Sequence, residues 1–467
     1  MFPQFENLDE DSASANAVRL ESNGFKESSA AANTLTRLKN FWLIVQATGE
    51  ATKSCPRTDG HDTVPEWYWI LERVLREAPL KDMVLSVVDQ YVRNAVDQID
   101  VFAFFEQTPR ALDILARIAC GSPFLTQILL ADPLCLTTLT QHGRTAEMKS
   151  REQFVSEAMI TVADTSDRTR QLTNLRRFQR RELLRIGICD AFGLLDLRFV
   201  TLQLSHLADA MVQSCLEIAA ANVAGLLGID RSIIGVTDAA SVGSDAGSIR
   251  HDGVRLRLAV ISLGKHGGEE LNYSSDIDLV LIADHDSSEV QRLARLLIDG
   301  LADDIAPGFL YRVDLRLRPW GQAGPLVSTI PSYTDYLIQD AALWEKQAML
   351  KARVVAGDFE IGQQFLRTMQ PLLFSASADQ VRSGIQQMKE RIEARLRQRG
   401  NLNAQVKLGV GSIRDVEFLV QSLQLIHGEL EPRVLSCNTL DSLVRLAEFG
   451  LIDAAWYRQL RAGYVFL

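Results

Sequence analysis

The step at which apolar residues recur changes along this chain, and the change limits what it can fold into. Up to about residue 230 the step is three or four residues, as on one face of a helix. Between about 254 and 320 it shortens to alternation in VRLRLAVISL, SSDIDLVLIA and YRVDLRLR, short β-branched runs that read as strands. A helix is expected between the last two, from Glu289 to Ile305, and helices return from Tyr333 onward. The order is helix, α/β, helix, so the fold class is mainly helical α+β, with a small α/β unit flanked by helical bundles.

In the first region Val84, Val88, Tyr91, Val92, Ala95 and Val96 form one stripe and Leu112, Leu115 and Ile118 a second. Gly121-Ser122-Pro123 and Asp132-Pro133 should stop helices, because Gly and Pro break them. Short breaks suit antiparallel neighbours in a bundle. Arg176, Arg177, Arg180 and Arg181 crowd one helical stretch and read as a solvated face paired with acids, or else as a docking or phosphate-facing edge. The expected divisions are 1–30 without order (rich in Ser, Asn, Asp and Glu), 31–235 helical, 236–375 catalytic and 376–467 helical. Residues 236–253, small and polar without period, read as a loop or linker.

At 467 residues the chain exceeds one ordinary domain. Its net charge of −10 disfavours nucleic acid as the main partner, although a local basic groove remains open. Six cysteines without a CxxC pair suggest neither a zinc site nor a disulfide framework. The acidic N-terminus is no signal peptide, and no apolar run approaches the roughly 20 residues of a membrane helix, so a cytoplasmic protein with no membrane role is expected.

Ser275-Asp276-Ile277-Asp278-Leu279 carries the chemistry. On a strand, Asp276 and Asp278 share one face while Ile277 and Leu279 point to the core. Two carboxylates about 4 Å apart repel by about 4 kcal/mol at an effective dielectric constant of about 20. A divalent cation would relieve this, and magnesium favours carboxylates and substrate phosphates. In YRVDLRLRP, read as a strand, Arg312, Asp314, Arg316 and Arg318 share a face, which gives a third carboxylate and cations for polyphosphate. Asp276, Asp278 and Asp314 would then clamp two metal ions. Upstream, Gly264 and Lys265 begin a glycine turn that lets backbone amides approach phosphate. It is not the P-loop pattern. Each piece alone has a plainer reading: a strand end, a turn, a solvated edge. Their succession points to a site.

That succession resembles the polymerase β-like nucleotidyltransferases. LGKHGGEELNYSSDIDLV, RVDLRLRPWGQAGPLV, WEKQAMLKARVVAGD and KLGVGSIRDVEFLVQ are similar to the signature blocks of glutamine synthetase adenylyltransferases, over about residues 100–467. The resemblance implies control of nitrogen assimilation, with one catalytic half attaching AMP to a tyrosine of glutamine synthetase from ATP and the other removing it with phosphate to give ADP. With one catalytic block of glycine turn and DxD, the chain's RPWGQAGPLV, IRDVEFLVQ and AGYVFL look more like the N-terminal, removing half, and the chain is expected to be a truncated piece. Transfer from ATP and a non-catalytic interaction module are the alternatives. The implied cofactor is magnesium, two ions. The implied partners are glutamine synthetase, the PII signal protein, ATP or ADP, and phosphate. Asp276, Asp278 and Asp314 become the implied catalytic metal ligands, and Gly264, Lys265, Ser275, Arg316 and Arg318 phosphate or nucleotide contacts. Lys351 and Arg353 read either as phosphate or adenylyl-tyrosine contacts or as surface partners of Glu345 or Asp358. His266 reads as incidental, Trp344 and Glu345 as packing and orientation, and Gly409, Gly411, Arg414 and Glu417 as structural.

Overall fold

The computed structural model describes residues 2–47, 64–95, 97, 99–141, 146–228, 234–235, 256–304, 308–398, 406–407 and 409–466. The expected linker at 236–253, Val96 and Cys55 lie outside them. The chain divides into two compact units, Met1–Met148 with Arg180–Asp196, and Lys149–Gln179 with Leu197–Leu467. These limits differ from the expected divisions, since residues 149–179 belong with the later part of the chain.

The first unit is helical among its described residues. The anticipated break at Ser122 is a cap: its hydroxyl accepts from Leu125 N, and Pro123 fills the first helical position, where no N–H is needed. The N-terminal segment departs from the expectation of no order. Phe5–Asn7 is a 3-10 turn and Ala13–Ser22 a helix. The reason is aromatic. Phe2, Phe5 and Phe25 are buried, and Phe5 packs edge-on against Trp67 and Tyr68 at 5.9 and 5.2 Å. Three buried rings outweigh a polar average.

The second unit is built around the Leu197–Leu227 helix, which packs on the Arg151–Val162 and Ser288–Ala302 helices. By length and composition this helix could cross a membrane, contrary to the sequence expectation, yet 72% of its most apolar window is buried inside the protein. Its polar residues face protein partners: Gln203 Nε2 donates to Lys149 O, and Gln213 Oε1 accepts from Gly357 N. It is a core helix. Arg176, expected on a solvated face, is fully buried and donates to Asp303 O.

The sheet comprises β1 (Ile234–Gly235), β2 (Leu256–Leu263), β3 (Ile277–Ala283), β4 (Val313–Asp314), β5 (Val327–Thr329) and β6 (Arg353–Gly357). β2 pairs antiparallel with β3 and β6 and parallel with β1, while β3 pairs parallel with β4 near its start and with β5 near its end. Ala259, Ile261, Val280 and Ile282 join Tyr333, Leu337 and Phe365 in one core cluster. Leu258, Val260, Leu279 and Leu281, on the opposite face, are buried too. Both faces being covered, the strands hold rigidly what sits at their ends. The Ile413–His427, Thr439–Glu448 and Ala454–Phe466 helices share a smaller core of Val416, Val420, Leu443, Leu446 and Tyr464.

Candidate active site

β2 ends at Leu263, and Gly264 turns the chain with a φ of +58°, a conformation that favours glycine. A Cβ there would collide with Asp278 Oδ2, so the glycine also lets the turn lie against that carboxylate. Register completes the arrangement. Asp278 stands opposite Leu263 on one side and opposite Asp314 of β4 on the other. Asp276 immediately precedes β3, with Ile277 and Leu279 fully buried, as alternation requires.

Two of the three acids are held by arginines. Arg312 Nε donates to Asp276 Oδ1 at 2.5 Å, and its Nη2 to Ser274 O at 2.6 Å. Arg316 donates from Nε to both oxygens of Asp314, at 3.0 and 2.9 Å, which holds that carboxyl below its ordinary range. Burial, with Asp314 and Asp276 nearby, pushes the Asp278 carboxyl up to about 6, and no hydrogen bond from the described residues holds it down. The donor set is all oxygen, which fits magnesium, and a raised carboxyl between two others is what a cation would relieve. Among the described residues, no three acid, His or Cys groups are gathered closely enough to hold an ion. Arg312 and Arg316 bond to Asp276 and Asp314 and put positive charge beside them.

The expected strand through YRVDLRLR is cut short: β4 ends at Asp314. The Asp314 carboxylate accepts from Arg316 N at 2.9 Å, and such a side-chain bond to the backbone two residues on bends the chain. Trp320 and Gly321, both with positive φ, continue the turn. Arg312, Asp314, Arg316 and Arg318 therefore do not share a strand face. Arg316 reaches the site from the turn, whereas Arg318 donates to Gln322 O and does not line the cleft.

That cleft, about 560 Å³, is lined by Gly264, Lys265, Ser275, Asp276, Asp278, Asp314, Arg316 and Lys351 among others. Six cationic side chains (Lys265, Arg312, Arg316, Lys351, Lys407, Arg414) face four acidic ones (Asp276, Asp278, Asp314, Glu417). In a chain of net charge −10 this is a local cationic concavity suited to an anion. Arg414 and Glu417, read from sequence as structural, belong to its wall.

Neither surface pairing considered for Lys351 and Arg353 occurs. Lys351 is buried and donates to Glu270 Oε2 at 2.6 Å, Glu417 Oε1 at 3.2 Å and Thr439 Oγ1 at 3.1 Å. Burial opposes its charge, but Glu270 and Glu417 more than offset this and raise it. Arg353 lies beneath the glycine turn, outside the cleft lining: it donates to His266 O at 3.0 Å and to Asp209 at 2.5 and 3.0 Å. His266, read as incidental, is fully buried with Nε2 2.7 Å from Asp209 Oδ1. Burial disfavours the Asp209 charge, yet Arg353 and His266 hold it well below the usual carboxylate range. Asp209, Glu270 and Thr439 escaped the sequence reading. A single acid among the apolar residues of 207–212 was a usable signal for Asp209, since a buried charge requires a partner; Glu270 and Thr439 had none.

Glycine turn, β3 acids and facing β4 acid, set on a small sheet among helices, place the chain among the nucleotidyltransferases. Residues 112–368, more than half of the sequence, match the family described as glutamate-ammonia ligase adenylyltransferase, and the chain belongs to that family. Residues 379–467 match a second family, GlnD PII-uridylyltransferase. The chain is similar to the bifunctional glutamine synthetase adenylyltransferase/adenylyl-removing enzymes of Thioalkalivibrio sulfidiphilus (34% identical over 84% of this chain and 39% of the relative) and Pseudomonas aeruginosa (32%, over 80% and 38%). The Xanthobacter autotrophicus enzyme is 32% identical over 84% of this chain and 39% of its own length. The chain thus spans about two-fifths of these relatives.

Proposed function

We propose that the cleft removes AMP from an adenylylated tyrosine of glutamine synthetase by phosphorolysis, in the cytoplasm. The observation that carries the reading is the placement of Asp278 opposite Asp314 and against the Gly264 turn, with Asp276 beside them, in a cleft whose remaining charges are mostly cationic. An oxygen of inorganic phosphate attacks the adenylyl phosphorus, the bond from phosphorus to the tyrosine oxygen breaks, that oxygen takes up a proton, and ADP forms. Lys265, Arg316 and the backbone of the Gly264 turn bind and align the two phosphate groups, with Ser275 beside them. Asp276, Asp278 and Asp314 would hold magnesium, two ions by the family resemblance, which when bound neutralises charge on attacking and leaving oxygens. Lys351 braces the turn through Glu270 and the wall through Glu417. Arg318 and Arg353, placed away from the cleft, have no direct part.

The relatives' names supply both directions of reaction, and RPWGQAGPLV, which resembles the removing half, favours removal in this chain. The match of residues 379–467 supports the PII protein as a regulatory partner. The full chain is mixed with adenylylated glutamine synthetase and magnesium. Phosphate-dependent ADP release is the expected result. Pyrophosphate release from ATP with unmodified glutamine synthetase, and no ADP in the first mixture, would assign the opposite direction.

A further inference from the structure

The cleft has two kinds of lining. Beside the charged groups, Trp344, Ala348, Met388 and Phe418 give it an apolar surface. Within this surface lies an unusual polar pair. Gln347, on the Leu343–Met349 helix, and Gln421, on the Ile413–His427 helix, both line the cleft, although they are only 3% and 9% exposed. Gln347 Nε2 donates to Gln421 Oε1 at 2.7 Å. Gln347 Oε1 is buried and has no hydrogen-bond donor among the described residues.

A buried carbonyl oxygen without a donor is costly, and such groups in folded proteins normally have a partner. Apolar lining about a single oriented acceptor is what a planar, mostly apolar group with one N–H donor requires. The charged lining suits the phosphates of the same molecule. We infer that Gln347, oriented by Gln421, is a specificity-determining residue that accepts a hydrogen bond from the exocyclic 6-amino group of an adenine base lying on the Trp344–Phe418 surface. This rests on the reading of the cleft as a nucleotide site. A base bearing an oxygen at that position would set two acceptors face to face and leave both unpaired, and sites built to hydrogen-bond a substrate group reject analogues that lack it.

Calorimetry on the full chain with magnesium, using ADP, inosine diphosphate and pyrophosphate, tests the inference. Wild type should bind ADP at least roughly tenfold more tightly than inosine diphosphate. Gln347→Leu should reduce that ratio to about threefold or less while leaving pyrophosphate affinity within about twofold. Gln421→Leu, which removes the orienting partner and leaves Gln347 in place, should lower the ratio in the same direction. Equal affinity of wild type for the two nucleotides would overturn the inference and leave the nucleotide site standing, and no variant is needed to see it. An undiminished ratio in Gln347→Leu would overturn it as well. Failure of wild type to bind all three compounds would overturn both the inference and the reading on which it rests.

Discussion

Asp278 is in conflict with its surroundings. It is largely buried, next to two other carboxylates, and unlike them it has no guanidinium group of its own. A folded-state value of about 6 against an ordinary 3.8 means that the folded chain holds the Asp278 proton more tightly than the unfolded chain does. The group does the fold no harm below 3.8. Between 3.8 and 6 the unfolded chain releases that proton while the folded chain keeps it, so a penalty on the order of 3 kcal/mol builds up and is complete above 6. Asp278→Asn should accordingly raise stability at pH 8 in the absence of divalent cations and change it little near pH 4. Magnesium should raise the Tm of wild type at pH 8 and have a much smaller effect on the variant. Urea unfolding at the two pH values, with and without magnesium, checks both statements. A variant less stable than wild type at pH 8 would show that the charge is already compensated.

At the scale of elements, the glycine turn is held from two sides by buried charge. Beneath it, Arg353 and His266 meet Asp209 of the Leu197–Leu227 helix; beside it, Lys351 joins Glu270 at the end of the turn to Glu417 and Thr439 of the C-terminal helices. Thr439 N also donates to Glu270 Oε1. Lys351→Met would leave two buried carboxylates short of a cation, with a cost of about 3–5 kcal/mol in unfolding free energy. Burial disfavours the Glu417 charge, but Lys351 and Lys265 hold that carboxyl below its ordinary value. Its share of the loss is therefore present at neutral pH and disappears as pH falls through the carboxylate range. Urea titrations at pH 7.5 and pH 4 measure this, and an unchanged midpoint at pH 7.5 would contradict it.

Over the whole molecule, local and periodic features were legible in the sequence. Alternation gave β2 and β3 and the burial of Ile277 and Leu279, and Ser122-Pro123 marked a helix start by its own chemistry. Asp276 and Asp278 could be paired because a two-residue step puts both on one face of a strand, whereas the register that sets Asp314 opposite Asp278 was not legible. What failed depended on partners distant in sequence. Arg316 bonding back to Asp314 ended a strand that alternation would have continued. Aromatic residues from positions 2 to 68 ordered a segment whose average is polar. Lys351 and Arg353 looked like surface charges because their partners lie between 66 and 144 residues away. The Leu197–Leu227 helix was underestimated because buried polar residues, Gln203, Asp209, Gln213 and Glu217 among them, recur along it.

The claim on which the rest depends is that Asp276 and Asp278 act together on a phosphoryl group. Turnover of adenylylated glutamine synthetase by the full chain carrying Asp276→Asn and Asp278→Asn tests it most directly, with an unfolding curve taken on the same sample. Loss of at least about 1,000-fold in phosphate-dependent ADP release is predicted, since phosphoryl transfer is generally catalysed by positioning and charge stabilisation, with cooperative unfolding retained. Near-normal release by the folded double variant would contradict the account.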